Sequence, residues 1–492
     1  MNQDRNSIGN WLQEKVIKEK FNNWFGFAIL LLLGLSIAYF ISGQGKEVSL
    51  IALMGIIAIP VITISLISLR VGFYILFILT SFLPIIERIF YLNVKSGTII
   101  DIYIYVLMFA VLMRKAVKTH EWSFMKEPIT IVLLIIFGYD LLQVFNINGN
   151  FTAWFFGARL SFRTICIYLI AEGIFETRKD IFTFLKVWLG VAVLASFYCF
   201  YQEFVGLPKF DLDWASKTTE RINLLFIGGK WRKWSFISDV ATFGLFMSFA
   251  GMMAFTLALA KFVWYKRVML FIAGILFWTA MLYSGTRTAY VIVPIGVAIY
   301  VLLNINKVKT LAFAVIAGVV FVSLYFAPIY NPTLTRLRSA FNPSQDASMN
   351  VRDMNRARIR PYIFSHPFGG GLLTTGDGGE EHYPGHPLAG FPPDSGFLQT
   401  LLETGWPGLM LEMFLFIVVL GTGVRNYYTI RDPILKGYYL AFIASFFALT
   451  VSLYSQMSMD GFPLLFIYLA NYVFMYRLKK LDQAPEDSAE TI

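Results

Sequence analysis

Long apolar stretches separated by short polar links dominate the chain. Stretches such as Phe27–Tyr39 and Ile434–Tyr454 carry almost none of the polar face that a water-facing helix repeats every turn. Spans long enough to cross a bilayer are expected at about 24–42, 48–69, 71–86, 99–113, 128–146, 160–176, 181–204, 236–259, 268–283, 288–304, 310–328, 406–424, 436–457 and 461–476. The pattern predicts an all-α polytopic membrane protein of about fourteen helices, the second and third nearly fused. Residues 10–23, with Trp11, Leu12, Val16 and Ile17 among lysines and glutamates, fit an amphipathic helix on the membrane surface and, nearly as well, a solvated tail. Polar residues Met1–Asn10 stand where a signal peptide would be apolar, so no cleaved leader is expected and the first span serves as the anchor.

Two links break the pattern. Residues 205–235 and 329–405 are too long to be simple connectors, and long loops commonly carry function. The second mixes helix-compatible sequence (Ser348–Phe364), a glycine-rich turn (Gly369–Gly371) and a flexible stretch around Gly376–Gly390, which reads as a small domain outside the membrane. The expected organisation is a tail at 1–23, membrane helices at 24–204, a loop at 205–235, helices at 236–328, a loop domain at 329–405, helices at 406–476 and a tail at 477–492.

Composition agrees with this: 57% of residues are hydrophobic and only 15% charged. The net charge of +10 is spread over many short links with no basic recognition module, which argues against nucleic acid as a partner. With the N-terminus inside, Arg114, Lys115, Arg178, Lys179, Lys266, Arg267, Arg425, Arg431, Arg477 and Lys479 fall on the cytoplasmic side. Both termini are then cytoplasmic and both long loops are on the outer face. The two cysteines, Cys166 and Cys199, sit in apolar segments and show neither a disulfide framework nor metal-ligand spacing. No internal repeat supports an inverted-repeat transporter.

The outer loops are cationic against the usual bias. They hold Arg221, Lys230, Arg232 and Lys233, then Arg336, Arg338, Arg352, Arg356, Arg358 and Arg360. One reading is a solvated surface facing lipid headgroups, and the other is a set of guanidinium groups for phosphate oxygens. Arg352, Arg356 and Arg360 share a helical face and repel unless an anion, or Asp353, lies opposite, with Pro361 weakening the case for Arg360. Arg287 is the one positive charge in the tight link Tyr283–Ala289, and it reads as a site residue or as an arginine snorkelling to the interface. Arg159 and the deeper Arg163 invite the same two readings. Asp211-Leu212-Asp213 reads as a solvated pair more readily than as a metal site. Trp214, Trp231, Trp234 and Tyr383 suit sugar stacking or interface anchoring, and Asp140 and Glu172 stand out as charges inside spans.

Ser284-Gly285-Thr286-Arg287-Thr288-Ala289 resembles the Ser-x-Ser-Arg-x-Ala signature of the O-antigen ligase and O-antigen polymerase superfamily. Arg352 followed by Ile363–Gly371, and then Asp394–Leu409 with Glu403, Gly405 and Gly408, resemble that family's later motifs in the same order. Arg232–Phe243 resembles an upstream segment more loosely. Asp394 stands where ligases of the family present histidine, which resembles some polymerases, and His386, with His366 and His382 behind it, is the alternative proton acceptor.

The resemblance implies a GT-C-like membrane glycosyltransferase in the bacterial inner membrane, with a large periplasmic loop between the eleventh and twelfth helices. It implies inverting transfer from an undecaprenyl-diphosphate-linked glycan without a metal or other cofactor. Under it Arg287 and Arg232 grip the diphosphate, Arg352 and Arg356 assist or bind the incoming glycan, and Asp394 orients or deprotonates the nucleophile. Arg163 and His386 join the substrate-binding candidates, and Glu403 and Gly405 are structural. Expected partners are the lipid-linked donor, a glycan or lipid-linked acceptor, membrane lipids and a chain-length regulator. Polymerisation into O-antigen or exopolysaccharide is the leading reading. A ligase acting on lipid A core or protein is the alternative, and a polar-lipid or polysaccharide transporter is the rival from another class.

Overall fold

The computed structural model describes residues 46–482 apart from 92–95, 118–121, 329–331, 342–346 and 458–460, together with isolated positions between 24 and 42. The expected surface helix at 10–23 and the tail beyond Asp482 lie outside the described residues. The membrane helices begin with α1 (Lys46–Ile67), α2 (Leu69–Phe90), α3 (Ser96–Val117), α4 (Pro128–Leu142), α5 (Phe151–Ile174) and α6 (Arg178–Phe204). The first long loop then holds α7 (Lys209–Ala215), α8 (Thr219–Leu225) and a two-stranded antiparallel hairpin, β1 (Phe226–Ile227) and β2 (Lys230–Trp231). Next come α9 (Val240–Ala258), α10 (Trp264–Ser284), α11 (Arg287–Leu303) and α12 (Val308–Phe326). The second loop holds α13 (Pro332–Ala340), α14 (Ala347–Ser365) and α15 (Gly376–His382), and the chain continues through α16 (Gly396–Thr429), α17 (Pro433–Ser452) and α18 (Leu464–Asp482).

Among the described residues, nine helices are long and apolar enough to cross a membrane: α2 to α6, α9, α10, α16 and α17. The protein is therefore a mostly helical, polytopic integral membrane protein. The remaining expected spans correspond to the first span and to α1, α11, α12 and α18, which that measure of length and hydropathy does not include.

Local sequence explains where the helices start. Thr177 and Asp180 form a reciprocal capping box at α6, Asn150 accepts the Ala153 N–H at α5, and Asp239 and Asp432 cap α9 and α17. Helix α9 is the centre of the bundle, with 89% of its span buried, and it packs on α6, α10, α11 and α17. It gets that close through small residues. A Cβ at Gly251 would strike the Trp278 indole of α10, and one at Gly244 would lie 2.7 Å from Ser284 Oγ and 2.9 Å from Thr286 Cβ. Gly244 thus lets the α10–α11 turn settle directly on α9.

Ion pairs pin the end of the bundle opposite the long loops. Glu172 bonds both Lys115 and Arg477, Arg178 meets Asp432 at 2.7 Å, and Lys480 meets Glu127 at 2.6 Å. Glu172 therefore has partners on two other helices. Arg477 belongs to α18 and not to a tail, because the helix runs on to Asp482, whose carboxylate accepts the Arg431 and Asp432 N–H groups.

Of the pair read as solvated, Asp213 is exposed and Asp211 is not. Asp211 is fully buried, accepts from Tyr198 and Gln202 at 2.8 Å each, and lies 3.4 Å from Arg88. Arg88 lies over the rings of Trp214 and Trp234, and Trp234 is fully buried in a small core with Ala215, Leu225 and Val240. Trp234 is thus a packing residue of the loop and is not free to stack on sugars, and half-buried Trp214 packs against the same core. Asp213 accepts the Tyr91 hydroxyl at 2.8 Å.

Helix α16 starts at Gly396, about ten residues before the expected span at 406, and bends at Gly405 (φ 71°, ψ −167°), a conformation open only to glycine. The bend admits the Pro367–Gly371 turn: Trp406 N–H donates to Pro367 O at 2.9 Å, and Gly370 and Gly371 N–H donate to Leu402 and Glu403 carbonyls. The Glu403 carboxylate is spent on the loop, accepting from Leu373 N–H at 3.0 Å and from the Thr375 hydroxyl. On the other side, Asn146, Asn148 and Asn150 bond the carbonyls of Phe368, Gly369 and His382.

His386 is buried in this loop. Its Nδ1 accepts the Leu388 N–H at 3.1 Å, so the ring proton resides on Nε2, 3.4 Å from the Tyr362 hydroxyl. Burial, followed by the charge of His366, pushes its pKa below histidine's ordinary 6.5. The unfolded loop therefore takes up a proton that the folded loop refuses. His386's contribution to loop stability is full above pH 6.5 and falls away as the pH drops below it. Hydrogen exchange of residues 366–391 should speed up as the pH is lowered from 7.5 to about 5, after correction for intrinsic rates, and His386→Gln should flatten that dependence. Equal pH dependence in the two proteins would contradict this role.

Candidate active site

The α10–α11 turn is the frame of the site. Gly285 closes α10 in the left-handed region (φ 63°), and Arg287 opens α11. Thr286 gives its hydroxyl proton to the Val240 carbonyl at 2.7 Å and makes no side-chain cap on the first turn of α11.

Arg232 is fixed on this turn from the first loop. Its Nε donates to Ser284 O at 2.8 Å, Nη2 to Thr286 Oγ1 at 3.0 Å and Nη1 to Leu224 O at 3.2 Å. Hydrogen bonds from a charged donor contribute about 1.5–3 kcal/mol each. Arg336, on α13 in the second loop, reaches the same place, with its Nη1 near Gly285 O and against the position a Gly285 side chain would take. Burial first, and then the charge of Arg336, pulls the Arg232 guanidinium down to about 10, still charged at neutral pH. Burial lowers Arg336 as well. Arg287 interacts repulsively with both Arg336 and Arg352. Four arginines from four segments, Arg232, Arg287, Arg336 and Arg352, thus form one electrostatic cluster. Among the described residues, Arg232, Arg336 and Arg352 make no ion pair with any carboxylate. The acid whose charge acts on Arg232 is Asp239, whose oxygens are taken up in capping α9.

The three arginines spaced along α14 separate. The helix continues through Pro361, so the expected break there is absent. The charge of Arg352 acts on Arg287 and so belongs to the cluster. Arg356 donates to the hydroxyl and carbonyl of Tyr454 at 3.0 and 3.1 Å and stacks on that ring, with Asp353 4.0 Å away. Arg360 is exposed over Phe364.

Asp394 is half-buried in the left-handed region (φ 55°), just before Ser395 caps α16 by accepting the Leu398 N–H. Among the described residues its carboxylate has no hydrogen-bond or ion-pair partner. Its neighbours are tied to the turn after α17: Ser395 Oγ donates to Leu453 O at 2.9 Å, and Gly396 N–H donates to Leu453 O and Gln456 O. The same turn reaches the arginine frame, because Ser455 Oγ and Thr288 Oγ1 are 2.7 Å apart. Residues 453–456 therefore connect the segments bearing Asp394, Arg287 and Arg356.

Two candidates lie apart from this group. Arg163 and Arg159 flank the buried carboxylate of Asp101 at 3.7 and 3.2 Å, and Arg163 also lies over Phe462. His386 lies within the loop core described above. Among the described residues no cluster of histidine, cysteine and acid side chains could hold a metal ion. Sequence reasoning noticed Arg336 only as one basic loop residue and passed over Tyr454, Ser455 and Gln456. The first carries no motif, and the other three end an apolar span with nothing unusual in charge or spacing.

No curated protein matches the chain. Residues 271–413, which run from α10 through the Arg287 turn and the second loop into α16, match the family described as O-antigen ligase. Over these residues the chain is similar to the O-antigen ligase family.

Proposed function

We propose that the protein polymerises lipid-diphosphate-linked oligosaccharide units on the periplasmic face of the inner membrane by an inverting, GT-C-type glycosyl transfer. The observation that carries this reading is the four-arginine cluster on the uncapped start of α11. Three of these guanidinium groups, Arg232, Arg336 and Arg352, make no ion pair with a carboxylate among the described residues, and holding them beside Arg287 is costly unless a polyanion relieves the repulsion. In the reaction the bond between the anomeric carbon and the diphosphate oxygen breaks as an acceptor hydroxyl attacks from the opposite face. The proton passes to Asp394, and the electron pair leaves with the lipid diphosphate, whose growing charge Arg232, Arg287 and Arg336 neutralise. Arg352 is placed to hold the diphosphate or the adjoining sugar. Arginine takes the part that a divalent cation plays in other diphosphate chemistry.

Asp394, in place of the histidine of typical ligases in the family, favours polymerase over ligase. The description of the matched domain favours the ligase, in which the same donor reacts with a different acceptor. Incubating the purified protein with a lipid-diphosphate repeat unit as sole substrate separates the two. Longer lipid-linked chains are expected, and product only after a second kind of acceptor is supplied would establish the ligase. Asp394→Asn should lower kcat by about 10²–10⁴-fold at neutral pH; near-normal turnover would place the base elsewhere. Gly285→Ala, whose Cβ would run into Arg336 Nη1, should cut kcat/KM at least tenfold in a protein that still elutes as a folded species, and full activity would remove Arg336 from the site.

A further inference from the structure

The proposed reaction needs an acceptor hydroxyl between Asp394 and the diphosphate, but the cluster and the base account for neither face of the acceptor sugar. The turn after α17 lies at that gap. Leu453 O holds Ser395 and Gly396, the two residues after Asp394. Ser455 Oγ touches Thr288, the residue after Arg287. Tyr454 sits between these two anchors, so its backbone position is fixed from both sides.

Its side chain is nevertheless held outward, with 59% of the residue exposed. Arg356 fixes that pose, donating to the Tyr454 hydroxyl and carbonyl at 3.0 and 3.1 Å while its guanidinium carbon lies 4.6 Å from the ring centre. An exposed aromatic ring immobilised by a charged neighbour has lost much of its rotamer freedom before any ligand arrives, which lowers the cost of binding. Arg356 also departs here from its helical neighbour Arg352, whose charge acts on Arg287. The two arginines, one helical turn apart on α14, thereby span the distance between the diphosphate site and Tyr454.

Building on the proposed transferase reading, we infer that Tyr454, braced by Arg356, is the acceptor-sugar platform of the site. The apolar C–H face of the acceptor's terminal pyranose packs on the exposed ring, and its reactive hydroxyl is directed to Asp394. A flat ring with one apolar face and a polar rim suits a sugar, which has the same division. Charge recognition of the diphosphate remains with the arginine cluster, so donor and acceptor are read by different residues.

The test uses the full-length protein in nanodiscs with the lipid-diphosphate repeat unit as donor. The acceptor is the same repeat-unit oligosaccharide capped as a methyl glycoside, which can accept but cannot donate. Tyr454→Ala should raise the acceptor KM at least tenfold while the donor KM and the kcat at saturating acceptor stay within about twofold. Tyr454→Phe and Tyr454→Trp, which keep the ring, should stay within about threefold of the wild type. An unchanged acceptor KM in Tyr454→Ala would overturn the inference, as would an equal loss in Tyr454→Phe, since the hydroxyl and not the ring face would then be what matters. Arg232→Ala, measured in parallel, reports on the donor. A donor KM unaffected by that change refutes the diphosphate assignment and leaves the acceptor readout of Tyr454 standing on its own.

Discussion

Bringing several guanidinium groups together on the α10–α11 turn, with no carboxylate to neutralise Arg232, Arg336 or Arg352 among the described residues, is the constraint around which the loop end of this protein is built. Arg232 is held by two carbonyls and one hydroxyl, Arg336 leans on the Gly285 carbonyl, and α11 adds its uncapped first turn to the same spot. All of these interactions satisfy donors without cancelling charge, so the cluster keeps its field. A protein that merely needed a stable loop could have placed an acid there, as it does for Arg88 with Asp211 and for Arg159 and Arg163 with Asp101.

The rest of the architecture follows from the need to hold this arrangement. Gly244 and Gly251 let α9 seat the α10–α11 turn closely. The buried Arg88–Asp211 contact and the tryptophan core beneath it anchor the loop that delivers Arg232. Glu403, the Gly405 bend and the asparagines before α5 fix the second loop against the bundle, and through it the helix bearing Arg352 and Arg356. The ion pairs of Glu172, Asp432 and Glu127 secure the far end, so the helices present a rigid support to the arginine cluster.

Much of this was legible in the sequence because it is local. Hydropathy marks the spans, cap residues such as Asn150, Thr177 and Asp432 mark their starts, and Ser284–Ala289 with Asp394–Leu409 carries the resemblance to a known domain. Local sequence misplaces the start of α16 and the break at Pro361, and most other differences are tertiary. Asp211 and Trp234 are polar or amphipathic residues in a loop, and nothing in their spacing reveals that Arg88, far away in the chain, buries them. Arg352, Arg356 and Arg360 share a helical period but meet three different neighbours. His386 looked available as a base, whereas its Nδ1 lone pair is already engaged by the Leu388 N–H. Tyr454 gained significance only from the two segments its turn connects.

The central claim is that the arginine cluster holds a diphosphate, and binding without turnover tests it most directly. Undecaprenyl diphosphate and undecaprenyl monophosphate would be titrated onto the detergent-purified protein, with native mass spectrometry reading the bound fraction for wild type and for Arg232→Ala. The account predicts preferential retention of the diphosphate by the wild type, weakening with added salt, and loss of that preference in the variant. Equal binding of the two lipids, or a diphosphate preference that survives Arg232→Ala unchanged, would contradict it.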